Sequence, residues 1–447
     1  MKDNRKSSRF QKLRISLPKY LQWFIPGMGV KRWLVVVLAG ITLLGIGFAV
    51  LVLDVYRTAP NAWWLPVLSA LSLRFLYRPL RALIFGGLGI GLVTFGIWRL
   101  NRALLAPFTR PGQPVLDAVA SHRRRKRGPK IVVIGGGTGQ SVLLRGLKDY
   151  SHHITAVVTV ADDGGSSGRL RESLGILPPG DIRNCLAALS HDEALLTQLF
   201  QYRFSDELDG LQGHSFGNLF ISALSDITGS FEEAVAESGR VLSAFGQVLP
   251  ATLRNVRLVA DVDLPFRDGA VRVEGESRIP EMDGEIRHVW LEPENPPAYP
   301  QVVQSILNAE LIVVGPGSLY TSILPNLLVS DITEALRASQ ALRMYVCNVA
   351  TQPGETDGYT CGDHLKAIET HAGQGLFDLV VCNSQQINKL PASLQWVKVE
   401  SGLENNYAIY QSDLVDKEFP WRHDAGKLSQ AIIDLYTERT GPLMESL

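Results

Sequence analysis

Hydrophobic and polar positions divide the chain into an amino-terminal third of long apolar runs and a remainder of short ones. Residues 33–53 (WLVVVLAGITLLGIGFAVLVL) form an uncharged apolar run, long enough to cross a hydrocarbon core of ~30 Å as a helix. The run follows a basic tail and lacks the short core and small-residue cleavage site of a signal peptide, so it predicts an anchor. Residues 82–98 (ALIFGGLGIGLVTFGIW) form a second run between Arg81 and Arg99. Its Gly86, Gly87, Gly89, Gly91 and Gly96 permit close helix approach. Between the two, residues 63–73 are apolar but too short to cross, and the pair Trp63-Trp64 marks an interfacial helix.

From Lys130 the runs shorten. KIVVI, AVVTV, LIVV, LRMYV and LVVC are continuous apolar stretches that do not alternate, and helical segments such as SVLLRGLKDY separate them. That grammar predicts a parallel sheet covered on both faces. Over 258–299 the alternation of VRVEGESRI and the Pro-rich LEPENPPAYP predict an antiparallel excursion. The expected fold is α/β: a Rossmann-like, doubly wound, mainly parallel sheet with a small antiparallel excursion, preceded by a two-helix transmembrane hairpin. The expected segments are a basic tail at 1–32, the hairpin at 33–100, a basic linker at 101–129 and one globular domain at 130–447.

Charge sharpens this picture. The 447 residues hold 44 basic and 44 acidic side chains. Residues 1–130 have 22 basic against three acidic, which leaves 22 against 41 for the rest. An acidic body is a poor binder of polyanions, which excludes long nucleic acids as partners. The basic block Arg123-Arg124-Arg125-Lys126-Arg127 follows a membrane span and suits an anionic lipid surface. Basic residues crowd both outer flanks of the hairpin, so the expected location is the inner or plasma membrane, multi-pass, with both termini and the body cytoplasmic. Cys185, Cys347, Cys361 and Cys382 form no CxxC pair and are expected to be reduced and mostly buried, not zinc ligands.

Five short loops at or near expected strand ends carry the chemistry, since ligands of doubly wound sheets bind beyond the carboxyl ends of strands. Gly135-Gly136-Gly137-Thr138-Gly139 opens a helix and suits a phosphate, or is simply a tight turn. Gln140 stands where the dinucleotide fingerprint needs glycine, and no Gly-Lys-Ser/Thr ending makes a P-loop. Asp162-Asp163-Gly164-Gly165-Ser166-Ser167-Gly168-Arg169 suits Mg²⁺ or sugar hydroxyls, with only one of the two aspartates facing a ligand. In Pro178–Asn184, Asp181 is a candidate N-cap or ligand group, whereas Arg183 and Asn184 read as ligand-facing. His214, in the loop with Ser215 and Asn218, is either structural or an acid–base group. Gly315-Pro316-Gly317-Ser318 suits a diphosphate, with Tyr320 against a base or ribose, or packed on a strand, and Thr321 beside it. None of the five motifs contains lysine and none supplies an evident nucleophile–base pair, so catalytic residues are unassigned.

In order, GGGTG, TVADDGGSSGRLR, PPGDIRNCL, GHSFGNL and GPGSLYTSI resemble the YvcK/CofD-like superfamily, and specifically its YvcK branch, the gluconeogenesis factor family. The resemblance covers about residues 130–435. It implies a domain that binds nucleotide sugars, notably UDP-N-acetylglucosamine, with Tyr320 against the uridine nucleotide. It further implies a regulatory role in carbon metabolism, cell-wall precursor supply and cell shape, with cell-wall-synthesis proteins or further copies of the chain as partners. The alternative is a CofD-like transferase of phospholactyl or phosphoryl groups, dependent on Mg²⁺ held at Asp162 and Asp163. The two-span anchor departs from the soluble form common in the family.

Overall fold

A computed structural model describes residues 75–105 and 128–441, apart from 192, 206–209, 266, 268 and 387–389, with scattered positions between 38 and 73 and at 125. It forms two compact units, residues 1–120 with 444–447 and residues 121–443. In the first unit, α1 (Arg78–Leu105) is a 28-residue helix. Its stretch Pro79–Trp98 has a mean hydropathy of 1.8 and none of it is buried in protein, so by length and composition it can cross a membrane. Most of the first apolar run, the segment at 63–73 and the linker lie outside the described residues. One helix of the expected hairpin is therefore on view.

The second unit is built on β1 (Ile131–Gly135), α2 (Gly137–Leu147), β2 (Ile154–Val158), α3 (Gly165–Leu174), α4 (Gly180–Leu189), α5 (Glu193–Gln201), α6 (Phe216–Thr228), α7 (Phe231–Val241) and β3 (Gln247–Pro250). The chain then leaves the main sheet for β4 (Arg257–Asp263), β5 (Ala270–Glu274) and β6 (Glu285–Glu292). It returns through α8 (Pro300–Leu307), β7 (Leu311–Val314), a π-helical turn at Leu319–Ile323, α9 (Leu324–Leu327), α10 (Ser330–Ala338) and β8 (Leu342–Val346). It ends with α11 (Cys361–Ala372), β9 (Leu379–Asn383), β10 (Ile409–Ser412) and α12 (Ala425–Thr440).

Seven parallel strands lie in the order β10-β9-β8-β7-β1-β2-β3. Every residue of β1, β2 and β7 is buried. That two-sided burial is why these strands read as unbroken apolar runs. The chain winds outward from β1 to β3, then returns to the other side of β1 and winds outward again. The direction therefore reverses between β1 and β7, which makes that gap the switch point of the fold. The expected excursion is a three-stranded antiparallel sheet, β5-β4-β6.

Gln140 holds the centre of this sheet. It is fully buried on α2, and its Nε2 donates to Val133 O and Val157 O, both at 2.9 Å. Its Oε1 accepts from the Cys185 thiol on α4. One amide thus ties α2 to β1, β2 and α4, and no glycine could do so. Gln140→Leu fills the space but leaves two carbonyls without that donor. It is expected to lower unfolding stability in urea by roughly 1–3 kcal/mol, the cost of an unsatisfied buried polar group. An unchanged midpoint would mean that the amide is not a structural tie.

Candidate functional site

The loops after β1 and β7 meet at the switch point. Gly136 precedes α2 in extended conformation, and Gly137 has φ +63°, a left-handed value that favours glycine. A Cβ on Gly139 would sit 2.5 Å from Pro316 O, so the two glycine loops touch backbone to backbone. Asn326 Nδ2 locks the crossing by donating to Gly135 O at 2.8 Å and to Ser322 O at 2.7 Å. The Asn348 side chain accepts from Gly317 N and donates to Gly317 O, and Gln352 donates to Ser318 Oγ. The two glycine loops, Asn348 and Gln352 border a cleft of about 240 Å³ whose far wall is Leu394, Trp421, Arg422 and His423. A larger hollow of about 500 Å³ opens at the amino ends of β1 and β2. It has no glycine loop, and ligands of this fold class bind at the carboxyl ends.

Asp181 links this cleft to a second group of side chains. Its Oδ2 accepts the Gly137 N–H at 2.7 Å, a donor at the start of α2 where the helix dipole favours negative charge. Burial nevertheless dominates, with the Asp162 charge adding to it, and the Asp181 pKa is raised to about 6. Asp162 is raised too, again chiefly by burial. Asp162 accepts from Gly164 N at 2.8 Å, whereas Asp163 turns the other way and accepts from Ser277 N at 2.9 Å in the loop after β5. The adjacent carboxylates diverge, as the extended chain requires.

Beyond them lies a serine–histidine pair that the sequence did not reveal. His214 Nδ1 is 3.0 Å from Ser166 Oγ, and Asn218 Nδ2 donates to the same hydroxyl. Arg169 Nε donates to His214 Nε2 at 3.4 Å. With Nε2 accepting, the neutral ring carries its proton on Nδ1 and donates to Ser166. Burial and the Arg169 charge both hold the His214 pKa below its usual value. In this tautomer the imidazole donates to the hydroxyl and orients Ser166.

Several expected site residues stand elsewhere. Tyr320 is 2% exposed, and its hydroxyl is 2.9 Å from that of Tyr359 while its ring meets Tyr359 and His371 edge-on. It lies in the core side of the π turn and not at the mouth of the sheet, because Leu319–Ile323 coils the chain and turns it inward. Thr321 donates to Glu355 Oε1 at 3.0 Å, and Tyr320 N donates to Oε2. Burial raises the Glu355 pKa to about 7. Arg183 is 7% exposed and donates to Ser215 Oγ and to Asn184 Oδ1. Through these bonds Arg183 braces the α4–α6 contact. Asp181 is not an N-cap either: Pro179 holds that position, and Asp181 lies in the first turn of α4. Ser215 does cap α6, accepting from Asn218 N.

For Mg²⁺, one oxygen each of Asp162 and Asp163 is engaged by a backbone N–H, and no group of three or more candidate ligands surrounds a metal position among the described residues. The protein thus offers single carboxylates, which fit Mg²⁺ only when substrate phosphates complete its shell. Glu276 Oε2, next to Asp162 and Asp181, is buried with no hydrogen-bond partner among the described residues. Sequence reading missed Asn348, Gln352, Glu276, Glu355, Trp421 and Arg422. Asn348 had a signal, since it follows the strand-like run LRMYVC; Trp421 and Arg422 had none.

Comparison with known proteins fits this geometry. The family described as 2-phospho-L-lactate transferase CofD matches residues 131–430. A putative gluconeogenesis factor of Nostoc sp. is 51% identical over 379 residues, spanning 82% of this chain and 79% of its own. One of Clostridium acetobutylicum is 40% identical over 440 residues, spanning 94% and 93%. A crystal structure of a UPF0052 family member from Bacillus halodurans is 46% identical, with a TM-score of 0.65 over 68% of this chain and 99% of that one. The seven-stranded sheet, the glycine loops at its switch point and these matches agree, and the chain belongs to the CofD/YvcK family.

Proposed function

We propose that the domain from residue 130 binds a nucleotide sugar of the UDP-N-acetylglucosamine type and acts as a regulatory binding protein at the cytoplasmic membrane face. The observation that carries this reading is the crossing of two glycine loops at the switch point, walled by a cation and an indole. Backbone N–H groups around Thr138, Gly139 and Ser318 suit a diphosphate, with Arg422 as its counter-charge. Trp421 offers a face for the base. Asp162 and Asn348 suit sugar hydroxyls. The gluconeogenesis-factor relatives support a role in carbon metabolism, which a sensor of cell-wall precursor supply would serve; control of cell shape follows from that supply. The apolar α1 and the basic residues around it support a membrane anchor.

A second reading is favoured by the unpartnered Glu276 Oε2 beside Asp162 and Asp181: a transferase of the CofD kind, with Mg²⁺ drawn to that acidic hollow. Incubation with nucleotide sugars and nucleoside diphosphate donors, with and without Mg²⁺, separates the two. The binding reading expects unchanged ligand, and any Mg²⁺-dependent product overturns it.

Arg422→Ala is expected to weaken UDP-N-acetylglucosamine binding by about 1.5–3 kcal/mol, the range for a hydrogen bond to a charged group, or roughly ten- to a hundredfold. Tyr320→Phe should leave affinity unchanged and lower the melting temperature, because its hydroxyl bonds only Tyr359. Calorimetry on both proteins checks this; equal affinity in a folded Arg422→Ala protein contradicts the pose.

Binding should also follow pH. Asp181 keeps its proton up to about pH 6, and a diphosphate beside it raises that pKa further. Binding then takes up a proton, and affinity falls as pH rises from about 5 to about 8. The same raised pKa makes the carboxyl's contribution to stability largest below the ordinary carboxylate range and lost as pH rises toward 6. Asp181→Asn keeps an acceptor for Gly137 N–H and should flatten both profiles. Equal slopes in the two proteins would remove Asp181 from the site.

The anchor should be separable from the site. The whole chain is expected in the membrane fraction, and a chain starting at residue 129 in the soluble fraction with its ligand affinity intact. A reporter at residue 60 should read as external. Loss of affinity in a folded truncated protein would place part of the site in the anchor.

A further inference from the structure

Three of the four cysteines converge although they are far apart in sequence. Cys347 follows the end of β8, Cys361 is the first residue of α11, and Cys382 lies in β9. All three are buried. The Cys361 and Cys382 sulfurs are 3.1 Å apart, and the Cys347 thiol bonds to both. That separation is about 1 Å beyond a disulfide bond length. Hydrogen bonds from the thiols of Cys347 and Cys361 lower the pKa of Cys382, which favours the thiolate there. His364 follows Cys361 by three residues on α11, on the same helical face. Its Nδ1 is 2.7 Å from Thr360 O, and its Nε2 is buried with no hydrogen-bond partner among the described residues. The neutral ring thus donates from Nδ1 and leaves a free acceptor at Nε2. Cys185 is different: it is buried against Gln140, away from this cluster.

We propose that Cys361 and Cys382 are a redox-responsive pair that closes to a disulfide under hydroperoxide. The Cys382 thiolate attacks one peroxide oxygen, giving a sulfenic acid and hydroxide, which becomes water on taking up a proton. The Cys361 sulfur then attacks the sulfenic sulfur, and its proton leaves with the expelled hydroxyl as a second water. In sum two thiols lose two electrons and two protons, and one hydrogen peroxide becomes two waters. Such transient bonds are the form that disulfides take in reducing compartments. The new bond would staple the first turn of α11 to β9. The segment between β8 and α11 carries Asn348, Gln352 and Glu355, which hold the second glycine loop and the π turn. Oxidation therefore reaches the cleft through residues already named, whatever ligand the cleft takes.

The test uses the reduced full-length protein. It is treated with hydrogen peroxide, unfolded in an alkylating agent, digested and examined by mass spectrometry. The expected product is a Cys361–Cys382 peptide pair lacking two hydrogens and reversed by dithiothreitol, with Cys185 recovered alkylated. Cys382→Ser and, separately, Cys361→Ser should abolish the pair, and Cys347→Ser should preserve it, so one poorly folding variant does not decide the matter. Recovery of all four cysteines as alkylated thiols overturns the proposal. So does a dominant cross-link to Cys185 or Cys347.

Discussion

The close approach of two backbones at Gly139 and Pro316 is the constraint on which the site depends. A side chain at residue 139 would place its first carbon 2.5 Å from a carbonyl oxygen, so only glycine allows the loops after β1 and β7 to cross. That crossing sits where the winding of the sheet reverses. Gln140, one residue further, fixes α2 against β1, β2 and α4. Asn326 ties the end of β1 to the π turn. The loops are thereby held by amide side chains that hydrogen-bond backbone.

Electrostatics set the character of the cleft. Its glycine N–H groups and the start of α2 favour an anion, yet Asp181 already occupies one of those donors. Burial opposes its charge, and the Asp162 charge adds to that opposition. That donor is thus held by a carboxyl that takes up a proton near pH 6. Glu355 plays a comparable part under the second glycine loop, accepting from Tyr320 N and Thr321 with no cation recorded against it among the described residues.

The strands were legible because two-sided burial leaves continuous apolar runs, and the glycine loops were legible because glycine spacing is local. The antiparallel sheet showed in the alternation of VRVEGESRI. Of the two readings of Tyr320, the inward one could not be singled out, since a π-helical turn has no sequence period by which to foresee its rotation. The bond from Arg183 to Ser215 was not legible, because Ser215 comes from a loop 32 residues away. Trp421 and Arg422 escaped notice for the same reason: they reach the cleft only once β10 and α12 have folded beside it. Pairings set by tertiary structure leave no trace in a local motif.

Hydrogen exchange on the full-length protein, with and without UDP-N-acetylglucosamine, tests the central claim most directly. The account predicts slowed exchange at 136–142, 315–322, 348–352 and 421–423, the backbone that borders the cleft, and little change at the amino ends of β1 and β2. Protection confined to the hollow around His152 and Gln301, or none at saturating ligand, would contradict it.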